Sequence, residues 1–303
     1  MAMKEPEVTS AVEDYFRSER YFVIRGKFNV GVKPDVVAFK WADDYRMKCV
    51  AVECKGKVSR QTIVNVALKQ AISYQKFFPE VYIACPSLNG TLGNWLKVLF
   101  KVGFIPVSNK GVEKSNIIEA EMSPRLADKD FIIHVRNRAA LLLAYRDIFG
   151  SGFEYGTDVP GYIWCSTQKG LGFTTNNYHG AFYAGVNIEL AEQVRKSLLK
   201  VSTQKLYSII NNLPPTYFLH LRAIETYRPR LVEYTLLRKQ VRDLTKEDVS
   251  FIIEEAKRRH GRICLQINRI VWDESEILSR RDYQARLKEA YEEVRPLLAL
   301  LTS

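Results

Sequence analysis

Two side chains of opposite charge come at the end of an apolar segment: Glu53 and Lys55 follow residues 50–52. Residues two apart on a β-strand point to the same face of a sheet, so this carboxylate and this ammonium are expected side by side. A charge inside an apolar element costs several kcal/mol unless it is paired or bound to an ion. The pattern leaves two interpretations, which are a strand end that emerges into solvent and a chemical site.

A second acidic residue, Asp35, stands at the start of the preceding apolar segment, 36–41. In a β-meander the start of one strand meets the end of the next, so Asp35 is expected close to Glu53. Two convergent carboxylates repel each other, and a divalent cation relieves that repulsion; oxygen ligands favour Mg²⁺ or Mn²⁺. The backbone carbonyl of Cys54 is expected as a further ligand. A lysine beside such an ion, here Lys55, can hold the attacking water or stabilise charge on a phosphate, which suits phosphodiester hydrolysis.

The first third of the chain predicts an alternation of helices and strands. Apolar periodicity and turn residues favour the order αβββαβαβ, in which a three-strand meander precedes right-handed crossovers. This order predicts an α/β domain with a mixed central sheet flanked by helices. The predicted elements are a helix at 7–20 with Thr9 or Ser10 as its N-cap, strands at 21–28, 33–41 and 47–55, a helix at 59–78, a strand at 81–86, a helix at 91–103 and a strand at 104–108.

These residues resemble a known family. Pro34-Asp35, followed by Glu53-Cys54-Lys55, resembles the PD-(D/E)xK nuclease superfamily, which includes restriction endonucleases, Holliday-junction resolvases and RecB-type nucleases. The resemblance implies a restriction-endonuclease-like fold, whose core has the same order of elements. It also implies that Asp35, Glu53 and the Cys54 carbonyl hold a metal ion, while Lys55 acts on the water and the phosphate.

Three further residues join the set through this resemblance. Glu13, on the first predicted helix, resembles an additional acidic residue of many members, which implies that it supports the metal ion. Gln70 and Tyr74 resemble the QxxxY element of RecB-type members, and residues four apart on a helix share one face. The resemblance implies that these two position the nucleic-acid strand or the water. For Tyr74, packing in the core is the alternative.

The chain is expected to divide into two domains. Residues 1–107, of which 8–107 carry the resemblance, form the nuclease-like catalytic domain, and residues 108–128 form a linker. No family is recognised for residues 129–303, which are expected to form an α+β domain that selects the substrate or a partner. The predicted elements of this part are a helix at 129–150, hairpins within 161–188, a helix at 189–200, strands at 216–227 and 231–240, and two further helices, one of them at 245–261.

Basic and aromatic residues in both parts are candidates for contacts with nucleic acid, because cations bind phosphates and aromatic rings stack on bases. The candidates are Tyr74, Lys169, Arg228 and Arg230. For those in the second part, a solvated loop is the alternative.

The charge balance agrees with a polyanionic partner. The chain has 45 Lys+Arg against 34 Asp+Glu, a net charge of +11. The excess occurs in both parts, with 16 against 10 in residues 1–107 and 26 against 20 in residues 129–303. This balance favours DNA over a membrane surface as the partner, and a basic protein without such a partner is the alternative.

Composition also predicts the compartment and excludes some sites. Five cysteines without a CxxC pair, a start without an apolar core and no apolar run of about 20 residues predict a cytoplasmic protein that does not cross a membrane. The spacing of His and Cys does not suit zinc, and no GxxxxGK[ST] loop for a P-loop motor occurs.

These features predict a divalent-metal-dependent DNA endonuclease, a hydrolase that uses a metal-activated water in restriction, repair or defence. The resemblance also implies a homodimer with one active site per strand, and residues 129–303 are expected to bind a protein partner or select the DNA. The alternative is a non-catalytic module that binds nucleic acid or protein on a nuclease-like fold.

Overall fold

The computed structural model of the chain is a mixed α/β protein in which sheets are flanked by helices, and this confirms the predicted class. One sheet is mixed and the other is antiparallel. The structure describes residues 3–26, 28–56, 59–86, 90–157, 162–166, 171–176, 181–190, 202–227, 230–258, 262–273 and 278–302.

Six strands form the first sheet: β1 (Phe22–Arg25), β2 (Val36–Trp41), β3 (Met47–Cys54), β4 (Glu80–Pro86), β5 (Gly103–Ser108) and β6 (Gly111–Val112). They lie side by side in that order. Strands β1 to β3 are antiparallel neighbours, β3 to β5 are parallel, and β6 is antiparallel to β5. The predicted meander and the strands at the predicted positions are confirmed.

Helices cover both faces of this sheet: α1 (Glu5–Ser18) covers one face, and α2 (Arg60–Thr62), a π-helical turn (Ile63–Ala67), α3 (Leu68–Tyr74) and α4 (Gly90–Phe100) cover the other. α1 buries Val8, Val12 and Phe16, which lie four residues apart on one side of the helix. Fully burying each of these side chains stabilises the fold by about 1.5–3 kcal/mol. α1 is thereby fixed across the sheet.

Both faces of β3 are covered. Val50 and Val52 pack toward α1, whereas Cys49 and Ala51 pack toward α3 and α4. All four are at most 1% exposed. A strand buried on both faces is a continuous apolar run in the sequence, so the charged residues at its end interrupt the pattern sharply.

α1 begins earlier than predicted, and the predicted N-caps are wrong. Lys4 is the N-cap, and Pro6 lies in the first turn, where its missing N–H has no helical partner to lose. Thr9 and Ser10 lie inside the helix and donate their hydroxyl groups to the carbonyls of Glu5 and Pro6, at 2.9 and 3.0 Å. Glu5 therefore lies in the first turn of α1.

Seven strands form the second, antiparallel sheet: β7 (Glu154–Gly156), β8 (Tyr162–Ser166), β9 (Leu171–Asn176), β10 (Ala181–Glu189), β11 (Phe218–Tyr227), β12 (Arg230–Gln240) and β13 (Arg262–Asp273). Their order is β12-β11-β13-β10-β9-β8-β7. β13 was not predicted, although Ile263, Leu265 and Ile267 alternate and are all fully buried. It lies between β10 and β11, so its pairing is set by contacts far away in sequence.

The helices of the second part are α5 (Asp128–Phe131), a second π-helical turn (Ile132–Arg136), α6 (Asn137–Phe149), α7 (Thr203–Asn211), α8 (Lys246–Arg258) and α9 (Arg280–Thr302). The first three continue into one another and confirm the helix predicted at 129–150. α7 was not predicted. The helix predicted at 189–200 falls almost entirely on residues outside those that the structure describes.

α6 contacts both sheets, because it packs against β2 and β8 as well as α9. Its residues 137–145 are all buried, which is typical of an interior helix. Just before it, Arg136 donates Nη2 to the carbonyls of Tyr45 and Leu278, at 3.2 and 2.6 Å. One guanidinium thereby links the turn between β2 and β3 to the chain before α9.

Part of the predicted linker belongs to the first sheet, since β6 pairs with β5 and Ile118 bridges Phe104. The division into domains at 107 and 129 stays a prediction. Within the described residues, no helix combines the length and the apolar character needed to cross a lipid bilayer.

Candidate active site

The two predicted metal-binding carboxylates stand opposite each other on neighbouring strands. The antiparallel register of β2 and β3 pairs Val36 with Val52. Continued by one residue, this register places Asp35 opposite Glu53, and side chains opposite each other in such a pair are about 5 Å apart at Cβ. The structure therefore brings together the two acidic residues as the meander predicts.

Asp35 is held by the backbone of the neighbouring strand. The N–H of Cys54 donates a hydrogen bond of 2.7 Å to Oδ2 of Asp35. Burial raises the pKa of the Asp35 carboxyl above its ordinary value, and outweighs the Cys54 N–H and the Lys55 ammonium, which lower it. A desolvated carboxyl in this position is ready for a cationic ligand.

Glu53 is almost fully buried, at 1% exposure, and each of its oxygens has a donor. Lys55 Nζ contacts Oε1 at 2.5 Å, and the Tyr74 hydroxyl donates to Oε2 at 2.5 Å. Burial raises the pKa of the Glu53 carboxyl, and the nearby charge of Asp35 raises it further, while the two hydrogen bonds lower it. The carboxyl is thus fixed in orientation but destabilised as an anion.

Lys55 lies one residue beyond β3, with its side chain 13% exposed. Its ammonium contacts Glu53 and also Oε2 of Glu5 in the first turn of α1, at 3.6 Å. Burial by itself would lower the pKa of Lys55, but Glu53, Glu5 and Asp35 together raise it above the ordinary value. Lys55 is therefore protonated at neutral pH, so it is a donor and not a base.

Tyr74 lies at the end of α3 and is 3% exposed. Besides its bond to Glu53, its hydroxyl lies 3.3 Å from the Lys33 carbonyl. The sequence left core packing as the alternative for this residue, and the structure combines both roles: the ring is buried and the hydroxyl holds Glu53. So little of the ring is exposed that it offers no surface to nucleic acid.

Gln70 lies one turn before Tyr74 on the same helix. Its Oε1 atom is buried and has no hydrogen-bond partner among the described residues. A buried amide oxygen without a donor is destabilising by about 1–3 kcal/mol, so it is a candidate for contact with a ligand or water.

Glu13 is placed away from this group of residues. Its carboxylate pairs with Arg17 at 2.5 Å and lies 4.0 Å from Arg25. It stands eight residues after Glu5, which is about 12 Å along the helix. The acidic residue that α1 brings to Lys55 is Glu5, and the metal-supporting role of Glu13 stays a prediction.

Sequence reasoning missed Glu5 because it placed the start of the helix two residues late. The available signal was Pro6, which favours the first turn of a helix. Gly56 was also missed. A Cβ at that position would lie 2.7 Å from the backbone nitrogen of Glu5 and 3.0 Å from the Met3 carbonyl, so the loop after Lys55 packs directly on the start of α1.

The donor atoms present fit a hard divalent cation. Asp35 and Glu53 supply carboxylate oxygens, and the Cys54 carbonyl points to the same side of β3 as the Cys54 N–H that contacts Asp35. Within the described residues, no three side chains of His, Cys, Asp or Glu form a metal-binding group. The set here has two acidic side chains and one backbone carbonyl, which suits Mg²⁺ or Mn²⁺ because both accept backbone and water oxygens.

The remaining predicted contacts with nucleic acid stay predictions. Lys169, Arg228 and the side chain of Arg230 lie outside the described part of the chain.

Comparisons with protein-family models, with curated proteins and with solved structures gave no match. The positions of Asp35, Glu53 and Lys55 are therefore the basis for assigning a function to this chain.

Proposed function

We propose that this chain is a divalent-metal-dependent deoxyribonuclease that hydrolyses phosphodiester bonds, with an active site of the PD-(D/E)xK type. One observation carries the proposal: Asp35 stands opposite Glu53 at the ends of β2 and β3, and Lys55 contacts Glu53 at 2.5 Å. Carboxyl groups with raised pKa values beside a specific charged partner are typical of functional sites.

The order of elements supports a restriction-endonuclease-like fold. Along the chain, α1, β1, β2 and β3 are followed by the helical segment 60–74, then β4, α4 and β5. The three strands of the meander and the parallel pairs β3-β4 and β4-β5 give a mixed sheet whose site lies at the ends of β2 and β3. This is the arrangement that the resemblance implies.

Asp35, Glu53 and the Cys54 carbonyl are the groups that would hold Mg²⁺ or Mn²⁺. When bound, the ion would supply Lewis-acid activation of a water and charge neutralisation at the phosphate. Glu53 is kept in one orientation by Tyr74, so it would present its oxygens without a loss of rotamer entropy on binding.

Lys55 would act on the phosphate. Because its pKa is raised, the ammonium keeps its proton at neutral pH and can donate hydrogen bonds to a phosphate oxygen. Its placement by Glu53 and Glu5 fixes a positive charge where negative charge develops during hydrolysis, which is the usual source of electrostatic stabilisation.

The positive charge of the chain supports DNA as the substrate, since 45 basic residues stand against 34 acidic ones. An endonuclease of restriction, repair or defence is the form of the activity that we propose. Assembly as a homodimer, and selection of DNA or of a protein partner by residues 129–303, stay predictions.

A second candidate function is a module that binds nucleic acid or protein without cleaving. The observation that favours it is the pairing of Glu53, whose two oxygens already have Lys55 and Tyr74 as donors. A carboxylate satisfied in this way needs no metal ion for charge balance.

Cleavage of circular DNA, supplied as supercoiled plasmid and as a single-stranded circle, separates the two candidates. A circle also has no ends for an exonuclease. We expect nicking or linearisation with Mg²⁺ or Mn²⁺ and none with EDTA. Asp35→Asn and Lys55→Ala should lose at least a hundredfold in rate, while Asp243→Asn, at an exposed position, should keep the wild-type rate. DNA binding without cleavage under every condition would favour the module, and full activity in Lys55→Ala would exclude the proposed site.

A further inference from the structure

A groove of about 1070 Å³ follows the exposed side of α1, between this helix and the turn that joins β5 to β6. We call it the α1 groove. Its lining extends from Met3 and Lys4 at the start of the helix to Ser18 at the end, with Lys110 on the opposite wall. A helix of 14 residues is about 21 Å long, so the groove has room for several nucleotides of a strand.

Two backbone contacts connect the lining of the α1 groove to the loops beside the candidate active site. Gly56, which follows the site lysine, packs on the backbone of Met3, and Met3 lines the groove. On the other side Arg25 lines the groove, and the next residue, Gly26, donates its N–H to the carbonyl of Asp35 at 2.8 Å. The groove itself lies on the α1 side of the sheet, whereas the carboxylate of Glu53 lies on the α3 side.

Positive charge predominates along the α1 groove. Its cationic side chains outnumber the acidic ones and are spread over its length: Lys4, Arg25, Lys110 and Lys114, against Glu7 and Asp14. Lys114 contacts Glu19 at 2.8 Å, but both side chains are more than 40% exposed. An exposed ion pair contributes at most about 1 kcal/mol, so a phosphate can compete for this lysine.

An aromatic ring lies in the same groove. Tyr15 is half-buried, its ring is packed edge-on against Phe16, and the Lys114 ammonium lies 5.5 Å from the ring centroid. A ring fixed in this way beside a cation can stack on a base while the cation binds the adjacent phosphate.

From its length, its charge and its aromatic ring, we infer that the α1 groove binds one unpaired strand of DNA. The phosphates contact the cationic side chains, and a base stacks on Tyr15. The inference rests on the proposed function, because it identifies the form of DNA that the proposed deoxyribonuclease binds.

The test is binding to the full chain in EDTA, where no cleavage occurs. The probe is a fluorescently labelled oligothymidylate, alone or paired with its complement, and anisotropy is measured over a series of salt concentrations. The test variant is Lys110→Ala combined with Lys114→Ala. The matched control is Lys246→Ala combined with Lys288→Ala, which removes the same charge at exposed positions of the second part.

We expect the single strand to bind more tightly than the duplex. The groove variant should lose roughly tenfold in affinity, and the slope of log K against log salt should fall by about 1.4, since each phosphate contact on a single strand contributes about 0.7. Tyr15→Ala should weaken binding of the single strand without a change in this slope, because stacking releases no counterions. The control should keep both the affinity and the slope of the wild type.

Equal affinity and slope in the groove variant and the wild type would overturn the inference, and so would preferential binding of the duplex. In either case plasmid cleavage that depends on Asp35 would leave the proposed function intact. Conversely, the wild-type chain could bind the single strand without ever cleaving DNA, while the groove variant loses this binding. That result would support the groove and exclude the nuclease.

Discussion

Tyr74 and Glu53 are 21 residues apart in the sequence and joined by a hydrogen bond of 2.5 Å between the phenol and a carboxylate that is 1% exposed. The bond ties α3 to the end of β3. The ring of Tyr74 fills the core, and through this bond its hydroxyl also orients Glu53 in the candidate active site.

Tyr74→Phe should therefore affect both stability and activity. The ring is kept, but Oε2 of Glu53 loses its donor, which costs about 1–3 kcal/mol in the free energy of unfolding. Loss of the partner that orients a metal-binding carboxylate lowers metal affinity by roughly tenfold to a hundredfold. Urea unfolding and the Mn²⁺ dependence of cleavage measure the two effects. Tyr45→Phe, at a ring that is 64% exposed, is the control and should change stability by less than about 0.5 kcal/mol.

Metal binding should be visible without any cleavage. Mn²⁺ at about one hundred times its dissociation constant stabilises a folded chain that holds it by about 2.7 kcal/mol. We expect this increase in wild type and in Glu154→Gln, an exposed control, but not in Glu53→Gln. An equal increase in all three proteins would show that Mn²⁺ binds elsewhere.

The free energy of unfolding should depend on pH through Asp35. Burial raises the pKa of this carboxyl in the folded chain. The carboxyl therefore binds its proton more tightly in the folded chain than in the unfolded chain. This proton binding stabilises the folded chain fully below the unfolded pKa of 3.8, and the stabilisation is lost as the pH rises through the folded pKa. In EDTA, Asp35→Asn should be more stable than wild type at neutral pH, and the difference should shrink on acidification.

Asp43 should give the opposite pH dependence of the free energy of unfolding, because its pKa is shifted in the other direction. Hydrogen bonds from Arg46 hold its pKa below the ordinary value. The stabilisation from the Asp43 carboxylate is therefore present above its unfolded pKa and is lost as the pH falls. Asp43→Asn should be slightly less stable than wild type at neutral pH. Urea titrations of both variants from neutral to acidic pH test these signs, and a neutral-pH loss of stability in Asp35→Asn would contradict the first.

The two acidic residues of α1 should behave differently. Glu5→Gln removes a carboxylate 3.6 Å from Lys55 and is expected to lower the cleavage rate several-fold by leaving this lysine less well positioned. Glu13→Gln breaks exposed contacts with Arg17 and Arg25 and should change stability by less than about 1 kcal/mol, with the rate unchanged. If Glu13→Gln lowers the cleavage rate and Glu5→Gln does not, the role that the sequence predicted for Glu13 would be supported.

Gly56 should not tolerate a larger residue. A methyl group there meets backbone atoms of Glu5 and Met3, so Gly56→Ala forces α1 away from the site and should cost about 1–3 kcal/mol. Gly152→Ala, where a Cβ meets nothing within 4 Å, should be within about 0.5 kcal/mol of wild type. Thermal unfolding of the two variants compares these costs directly.

Local patterns in the sequence were sufficient for β2, β3 and the pairing of Asp35 with Glu53. Strand periodicity fixes which side chains share a face, and a short turn between neighbouring strands fixes their register, so both follow from nearby residues. The same local reasoning failed for β13, which pairs with strands far away in sequence, and for the start of α1, where an early proline outweighed the predicted caps.

The sequence by itself determined the type of the site: a carboxylate at the start of one strand, and a carboxylate and a lysine two residues apart at the end of the next. Only the tertiary structure decided the partners of these groups. Tyr74 holds Glu53 because α3 packs on that face of the sheet, and Glu5 reaches Lys55 because α1 is anchored on the other by Val8 and Val12. The physical reason is that helix and strand periods act over a few residues, whereas the packing of helices on a sheet depends on apolar contacts across the whole domain.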